Sequence, residues 1–309
     1  MNPLVSLIPP PLVKFFAKPY VAGDSLESAM QVAAGIYERD GFLTTLDLLA
    51  EGIDSEDVVE RNIATYLEMI DTVAEDPRFG SEGGRPTVSL KPSSYTTSPF
   101  ESGGSADGSR AAIMRICAHA QERGVGVSID MESRLWTDFT FECINELHSA
   151  GPVDVGCVIQ TRLHRSESDL DSLPEGIRVR LVIGIYKEPS EVALVDKPAM
   201  KERMLQFAKI LLDRGHFVEF ATHDDRYVRR FLDEVVAPAG IGLDRFEVQM
   251  LYGVPRQKLL TSLVSQGVKV RLYVPFAVGW GMAVAYLRRR LDEYPAMAAL
   301  VLKNWIFRG

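Results

Sequence analysis

The feature that most constrains the fold is a regular alternation of short β-rich runs with longer helical patterns. Helical segments such as DVVERNIATYLEMIDTVA and SRAAIMRICAHAQERG separate eight runs that are rich in β-branched and aromatic residues. The eight runs are FLTTLDL, TVSLK, GVSIDM, VGCVIQ, VRLVIG, FVEFAT, FEVQML and VRLYVP. Mostly apolar strands that alternate with helices indicate buried parallel strands. Eight such units predict an α/β fold, a TIM-like (β/α)8 barrel, and a doubly wound open sheet is the alternative.

The chain divides at the first predicted strand. We expect residues 1–40 to form an N-terminal helical segment and residues 41–309 to form the barrel, as one domain overall. The stretch 93–109 is rich in serine, threonine and glycine, so we expect a mobile loop there. Helical patterns stop at Gly124 and Gly215, where a left-handed glycine commonly ends a helix.

Composition excludes several classes of protein. A formal net charge of −8 argues against nonspecific binding of nucleic acid, which needs a dense basic face. Cys117, Cys143 and Cys157 are odd in number, lack CxxC spacing and lie in apolar contexts. We therefore expect buried free thiols and a cytoplasmic location. Three prolines interrupt the apolar N-terminus, so no export signal or transmembrane helix is predicted.

A barrel of this kind carries its functional side chains at the carboxyl ends of its strands. Polar and ionisable residues follow the predicted strands at these points: Asp47, Glu51, Lys91, Asp130, Glu132, Gln160, Arg162, Arg180, Tyr186, Lys187, Thr222, His223, Tyr252 and Tyr273. Lys91 and Arg180 are costly to bury without partners, which favours a functional cluster. Lys91 and Asp130 end neighbouring strands and could form an ion pair. A Schiff base on Lys91 is the alternative.

Signatures of other enzyme classes are missing from the sequence. It contains no HExxH motif, no cluster of three metal ligands and no GxSxG motif, so no metal site is predicted. The glycine-rich SGGSADGS does not follow a strand as a Rossmann phosphate turn would. In ATHDD, Thr222 and His223 lie at a predicted helix start, where free backbone N–H groups favour a phosphate.

The segment AVAYLRRRLDEY, residues 283–294, has a basic face at helical spacing. Tyr286, Arg289 and Arg290 lie at i, i+3 and i+4 and share that face, whereas Arg288 points elsewhere. Two planar guanidinium groups beside a tyrosine can bind a carboxylate. A basic helix end that faces water is the alternative.

The segment VRLVIGIYKEPSEVA, residues 179–193, resembles the proline dehydrogenase family, whose members carry arginine–leucine–valine–lysine–glycine–alanine–tyrosine here. Further segments match in the same order, over about residues 20–295: YVAGDSLESA, TLDLLAE, SLK, SIDME, CVIQT, FATHD, FEVQMLYG, VRLYVPF and AYLRRRL. The resemblance is to the monofunctional bacterial flavoenzymes. It implies a distorted (β/α)8 barrel that binds FAD and oxidises L-proline to Δ1-pyrroline-5-carboxylate. Hydride would pass from proline C5 to flavin N5, and the electrons would pass to a quinone.

The resemblance also implies roles for individual residues. It assigns catalytic roles to Lys91, Asp130, Arg180 and Glu51. The residues that it assigns to the substrate are Lys91, Leu251, Tyr273, Tyr286, Arg289 and Arg290. Those that it assigns to FAD are Gln160, Arg180, Val182, Gly184, Tyr186, Thr222 and His223. Asp130 would hold Lys91, Arg180 would stabilise negative charge on the reduced flavin, and Glu51 would pair with Arg289 as a gate.

Three positions depart from the family pattern. Ile183 replaces a common lysine, Ile185 replaces a usual alanine, and Ala50 replaces the glycine before Glu51. These changes leave open hydroxyproline or another cyclic secondary amine as the substrate. A cofactor-free lyase that forms a Schiff base on Lys91 is a competing hypothesis, and so is a barrel that only binds an amino acid. The apolar end segments leave open a peripheral contact with the inner face of the cell membrane, and the oligomeric state is not predicted.

Overall fold

A computed structural model describes residues 19–50, 53–80, 83–151, 153–279 and 284 of the chain. Within them, eight parallel strands close into a barrel in sequence order, and the last strand pairs with the first. The strands are β1 (Leu43–Leu48), β2 (Thr87–Leu90), β3 (Val127–Ile129), β4 (Val155–Gln160), β5 (Arg178–Val182), β6 (Phe217–Ala221), β7 (Phe246–Leu251) and β8 (Val270–Phe276). The closed barrel confirms the predicted fold class. It rules out the open doubly wound sheet.

The helices that the structure describes surround this barrel. They are α1 (Leu26–Asp40), α2 (Glu56–Glu75), α3 (Ser109–Arg123), α4 (Thr137–Ser149), α5 (Ser166–Asp169), α6 (Lys197–Asp213), α7 (Asp225–Arg230) and α8 (Gln257–Ser265). Helix α1 precedes the first strand and contacts both β1 and β8. The connection from β4 to β5 contains the single turn of α5 and a 3-10 turn (Leu170–Ser172) and no long helix, which makes the ring of helices irregular.

Helix ends follow the sequence signals. The Ser25 hydroxyl accepts a hydrogen bond from the Ser28 N–H and caps the start of α1. At the end of α3, Gly124 has φ = +65° and its N–H bonds back to Ala120. Gly215 lies two residues after α6 with φ = +87°. These left-handed residues end the helices where the sequence predicted.

The interior of the barrel is ionic, unlike the branched apolar interior that is typical of this fold. Charged residues of β1, β5, β6, β7 and β8, with two that directly follow β2 and β3, meet inside the sheet. Among the described residues, four carboxylates and four cations lie there in ion pairs with one another: Asp47, Asp130, Glu219, Glu247, Lys91, Arg178, Arg180 and Arg271. Equal numbers of opposite charges keep this buried set neutral, as burial requires.

The stretch 93–109 is not the open loop that its composition suggests. Two 3-10 turns, Pro92–Tyr95 and Phe100–Ser102, occupy it, and Tyr95 is fully buried. The Glu132 carboxylate accepts hydrogen bonds from the Ser93 backbone N–H (2.8 Å) and hydroxyl (2.6 Å). The Glu132 side chain thus holds the start of this stretch at Ser93, and the mobility of the stretch stays a prediction.

The three cysteines are buried free thiols, as predicted. Burial raises the pKa of Cys117 and Cys157 to about 12 and that of Cys143 to about 11. They therefore stay protonated near neutral pH and act as small apolar core groups. No helix within the described residues is both long and apolar enough to cross a bilayer.

Candidate active site

Ionisable side chains from five strands meet at the carboxyl-terminal end of the barrel. Asp47 lies in β1, Arg180 in β5 and Tyr273 in β8, while Lys91 and Asp130 directly follow β2 and β3. Parallel strands bring these ends to one rim, so residues distant in sequence become neighbours.

Lys91 lies at the centre of this cluster. Its Nζ is 2.5 Å from Asp47 Oδ1, 3.3 Å from Asp130 Oδ2 and 3.3 Å from the Tyr273 hydroxyl. The expected contact with Asp130 is present, but Asp47 is the closer partner. Sequence reasoning placed Asp47 at a strand end without assigning it to Lys91.

The charge state of Lys91 follows from these neighbours. Burial alone would lower its pKa, but Asp47, Tyr273 and Asp130 together outweigh burial and hold the pKa well above its ordinary value. Lys91 is therefore an ammonium group at neutral pH. An ammonium has no lone pair to attack a carbonyl, so this environment does not support a Schiff base on Lys91.

Asp130 joins the two cations of the site. Its Oδ1 accepts hydrogen bonds from the Ser89 hydroxyl (2.7 Å) and Arg180 Nη1 (2.8 Å), and its Oδ2 accepts one from the Tyr273 hydroxyl (2.7 Å). A carboxylate with several such donors is strongly favoured over the protonated acid.

The two carboxylates of the cluster shift in opposite directions. Burial raises the pKa of Asp47, and the single cation Lys91 only partly offsets it. Burial would also raise the pKa of Asp130, but Lys91 and Arg180 together lower it below the ordinary value. Asp130 is thus the carboxylate that stays ionised, whereas Asp47 has the raised pKa and is protonated more readily as the pH falls.

Arg180 is 4% exposed and crosses the barrel interior. Its Nε donates to Gln249 Oε1 (2.8 Å), its Nη1 donates to Asp130, and its guanidinium carbon lies 5.1 Å from the centre of the Tyr273 ring. Its Nη2 is buried and has no hydrogen-bond partner among the described residues. A buried guanidinium N–H without an acceptor is costly, which indicates a site for a bound acceptor group.

Gln160 and Gly184 form a close contact on the neighbouring strands. Gln160 Nε2 donates to the Glu132 carbonyl (2.7 Å), which fixes the side-chain amide. Gly184 has φ = +90°, and a Cβ there would lie 2.6 Å from Gln160 Oε1. Only glycine fits this position, because Gln160 and the Arg162 side chain fill the space that a Cβ would need and because φ is positive.

Thr222 and His223 lie at the end of β6. The Thr222 hydroxyl accepts a hydrogen bond from the Asp224 N–H (3.2 Å), and the His223 carbonyl accepts one from Arg256 Nε (3.1 Å). His223 Nδ1 is buried and has no hydrogen-bond partner in the described part of the chain. Burial and the nearby Arg256 lower the pKa of His223 to about 4, so its imidazole is neutral at pH 7.

This low pKa predicts a pH dependence of stability. The unfolded chain binds the histidine proton near pH 6.5 and the folded chain only near pH 4. The stabilisation that depends on neutral His223 is therefore complete above about pH 6.5 and is lost as the pH falls towards 4. Between pH 7 and 4, we expect the wild-type free energy of unfolding to drop by up to about 3 kcal/mol relative to His223→Gln. Urea unfolding at several pH values measures this difference, with the exposed His164→Gln as control. Parallel curves for wild type and His223→Gln would contradict it.

The remaining predicted site residues fall into two groups. Leu251 is 39% exposed at the end of β7 and pairs with Tyr273 of β8, and the Tyr186 carbonyl accepts a hydrogen bond from Arg162. Four residues lie outside the described part of the chain and stay predictions: Glu51, Tyr286, Arg289 and Arg290. Within the described part, no group of three His, Cys, Asp or Glu side chains could hold a metal ion.

Sequence reasoning missed several polar residues of the barrel interior. Glu219, Glu247, Gln249 and Arg271 lie inside strands and not at their ends. The signal was present, because polar residues occupy alternate positions of the apolar runs FVEFA, FEVQML and VRLYV. Alternate strand positions share a face, so this pattern could have predicted a polar interior.

Comparison with known proteins identifies the family. Residues 31–301 match the sequence profile described as "Proline dehydrogenase". The chain belongs to the proline dehydrogenase family. Members of this family are oxidoreductases, so the chain is an enzyme of that class, and the resemblance drawn from the motifs is confirmed.

Two curated relatives carry the same name. The chain is 37% identical over 296 residues to "Proline dehydrogenase" of Deinococcus radiodurans, which covers 94% of this chain and 90% of that protein. It is 32% identical to "Proline dehydrogenase 1" of Bacillus subtilis, and that match covers 93% of this chain and 90% of the relative.

A solved structure of similar fold is proline utilization A from Bdellovibrio bacteriovorus inactivated by N-propargylglycine. It matches with a TM-score of 0.78 and 25% identity over 91% of this chain. The chain spans 32% of the length of that protein. A further proline utilization A, from Bradyrhizobium japonicum, matches the fold with a TM-score of 0.72 at 20% identity.

Proposed function

We propose that this proline dehydrogenase family member uses FAD to oxidise L-proline to Δ1-pyrroline-5-carboxylate and passes the electrons to a quinone. The observation that carries the proposal is the buried cluster at the barrel rim. There, the Lys91 ammonium and the Arg180 guanidinium share one carboxylate, Asp130. Two fixed cations beside a rim of aromatic and apolar groups suit the carboxylate of an amino acid next to an electron-accepting ring.

Two features of the described residues fit FAD. The unpartnered Arg180 Nη2 lies within β5, and the unpartnered His223 Nδ1 lies just after β6. The residues that would hold FAD are Gln160, Arg180, Val182, Gly184, Tyr186, Thr222 and His223. When bound, FAD supplies the acceptor for the hydride that leaves proline C5.

The substrate half of the proposal depends on Lys91. Its ammonium attracts the proline carboxylate, and Asp47 and Asp130 hold the ammonium in place. Tyr273 and Leu251 would flank the ring of the substrate. Charge-assisted hydrogen bonds to the carboxylate restrict the orientation of the ring, which lowers the entropic part of the barrier.

Four residues outside the described part of the chain also belong to the proposal. Tyr286, Arg289 and Arg290 would complete the carboxylate site, and Glu51 would pair with Arg289 to close it. Asp130 contributes indirectly, because it holds Lys91 and Arg180 in fixed positions. The cytoplasmic location, the quinone and the peripheral membrane contact belong to the proposal as well.

The test is the visible absorption spectrum of the purified protein before and after anaerobic addition of L-proline. We expect a flavin spectrum that bleaches, with Δ1-pyrroline-5-carboxylate as the product. A flavin spectrum that stays oxidised with proline but bleaches with hydroxyproline would show that hydroxyproline, and not proline, is the substrate. A protein that stays colourless after incubation with FAD would overturn the cofactor and the reaction together. Reoxidation of the bleached enzyme by a soluble short-chain quinone tests the acceptor.

A further inference from the structure

The interior of the barrel contains a chain of hydrogen bonds that runs from Arg271 and Glu247 through Gln249 to Arg180. Arg180 Nε donates to Gln249 Oε1 (2.8 Å), and Gln249 Nε2 donates to Glu247 Oε1 (2.6 Å). Arg271 Nε donates to the same carboxylate oxygen (2.6 Å), and its Nη1 donates to the Thr44 carbonyl (2.8 Å). Gln249 is 3% exposed and Glu247 1%, so water does not compete for these bonds.

The orientation of the Gln249 amide is determined by this arrangement. Its partner on one side, the Glu247 carboxylate, is an acceptor, so the NH₂ group must face it. Its partner on the other side, the Arg180 guanidinium, is a donor without acceptor capacity, so the carbonyl oxygen must face it. A flipped amide would place donor against donor and acceptor against acceptor. Both contacts would be lost at once.

The guanidinium is fixed in turn. Gln249 binds its Nε, while Asp130 and Ser89 bind its Nη1 at 2.8 and 3.2 Å. A planar group held at two of its three nitrogens has no freedom to rotate. The third nitrogen, Nη2, is the one without a hydrogen-bond partner among the described residues.

We infer that Gln249 is a positioning residue that acts through Arg180, and that Glu247 and Arg271 set the orientation of its amide. Its role is to hold the Arg180 guanidinium in one orientation, so that its positive charge keeps a fixed position beside the bound flavin. The inference rests on the proposed function, because it requires a flavin next to Arg180.

The experiment compares Gln249→Met with Arg180→Met in the full chain loaded with FAD. Methionine preserves the length of the side chain and removes the acceptor. We expect Gln249→Met to lower the midpoint potential of the bound flavin in the same direction as Arg180→Met, since both weaken the positive charge at the reduced ring. For proline oxidation, kcat should fall about tenfold or more, and KM should change by less than about threefold, because the carboxylate partners stay in place.

The double variant separates positioning from general damage. If Gln249 acts through Arg180, Gln249→Met should have little further effect on the potential in the Arg180→Met background. Met250→Leu, a buried change on the opposite face of β7, is the matched control and should keep the wild-type potential. Gln249→Leu is the second variant, for use if Gln249→Met does not fold. It also removes the acceptor of Arg180 Nε at a similar side-chain volume, so it should shift the potential in the same direction.

Two results would overturn the inference on its own: an unchanged potential in Gln249→Met (or in Gln249→Leu, if Gln249→Met does not fold) while Arg180→Met shifts it, or additive shifts in the double variant. Failure of the proposed function looks different. In that case the wild-type protein itself would bind no flavin.

Discussion

Replacing Asp130 with asparagine is expected to abolish most proline oxidation and to lower the free energy of unfolding by about 3–5 kcal/mol. The carboxylate forms ion pairs with both Lys91 and Arg180 and accepts a hydrogen bond from the Tyr273 hydroxyl as well. Asparagine keeps the volume but leaves two buried cations without their common partner. Its NH₂ group also faces donors. Removal of one partner from a buried ion pair is costly mainly because the other charge remains buried.

Urea unfolding and steady-state kinetics measure the two effects of Asp130→Asn. Asp171→Asn is the matched control, because Asp171 pairs with Arg214 at the surface (2.7 Å), where both side chains are exposed. Exposed pairs of this kind contribute at most about 1 kcal/mol. If the two variants lost equal stability, the buried network would not be the source of the effect.

Replacing Lys91 with methionine has the second large effect, and that effect depends on pH. We expect the free energy of unfolding to fall by about 3–5 kcal/mol at pH 7, because Asp47 is then a buried carboxylate without a cation. The loss should shrink as the pH falls towards about 4. The pKa of Asp47 is already raised in the folded chain, chiefly by burial, and removal of Lys91 raises it further. A folded-state pKa above the unfolded value means that stability falls as the pH rises past the unfolded value.

The free energy of unfolding of Lys91→Met, measured at pH 5 and pH 7, tests the predicted direction of the pH dependence. A double variant tests whether the unpaired Asp47 carboxylate causes it. Lys91→Met with Asp47→Asn should recover stability at pH 7, since no unpaired charge remains, but it should not recover proline affinity. We expect KM for proline to rise at least about tenfold in both. Lys209→Met, which removes an exposed ion pair with Asp213, is the control. Equal losses for Lys91→Met at both pH values would contradict the assignment to Asp47.

The sequence predicted the barrel well because its signals are local and repeated. Each strand is a short apolar run and each long helix carries a continuous apolar face, such as Val59, Ile63, Tyr66 and Met69 on α2. The strand ends followed from the same pattern, so Lys91 and Asp130 could be named before their contacts were known. Arg180 lies in the middle of β5 and not at the predicted strand end. Which carboxylate binds Lys91 could not be read in this way. That choice depends on side-chain geometry across three strands.

Two parts of the site were missed for different reasons. Gln249 and Glu247 occupy alternate positions of an apolar run, and the average hydrophobicity of β7 conceals them unless that alternation is considered. The stretch 93–109 has the composition of a loop, yet distant residues satisfy its backbone. Composition reports only local preference, whereas these contacts join elements that are far apart in the chain.

The turn that follows Lys91 has a kinetic consequence. Glu132 binds Ser93, the Asn62 amide donates to the Ser94 carbonyl (3.0 Å), and the Ser109 hydroxyl donates to the Pro92 carbonyl (2.7 Å). Helix, strand and turn thus immobilise the segment that carries the ammonium before any ligand arrives. The conformational entropy of ordering this segment is lost during folding and not during each encounter with substrate. An anionic ligand therefore meets a preformed charge, and ordering of this segment is not a step in its capture at Lys91.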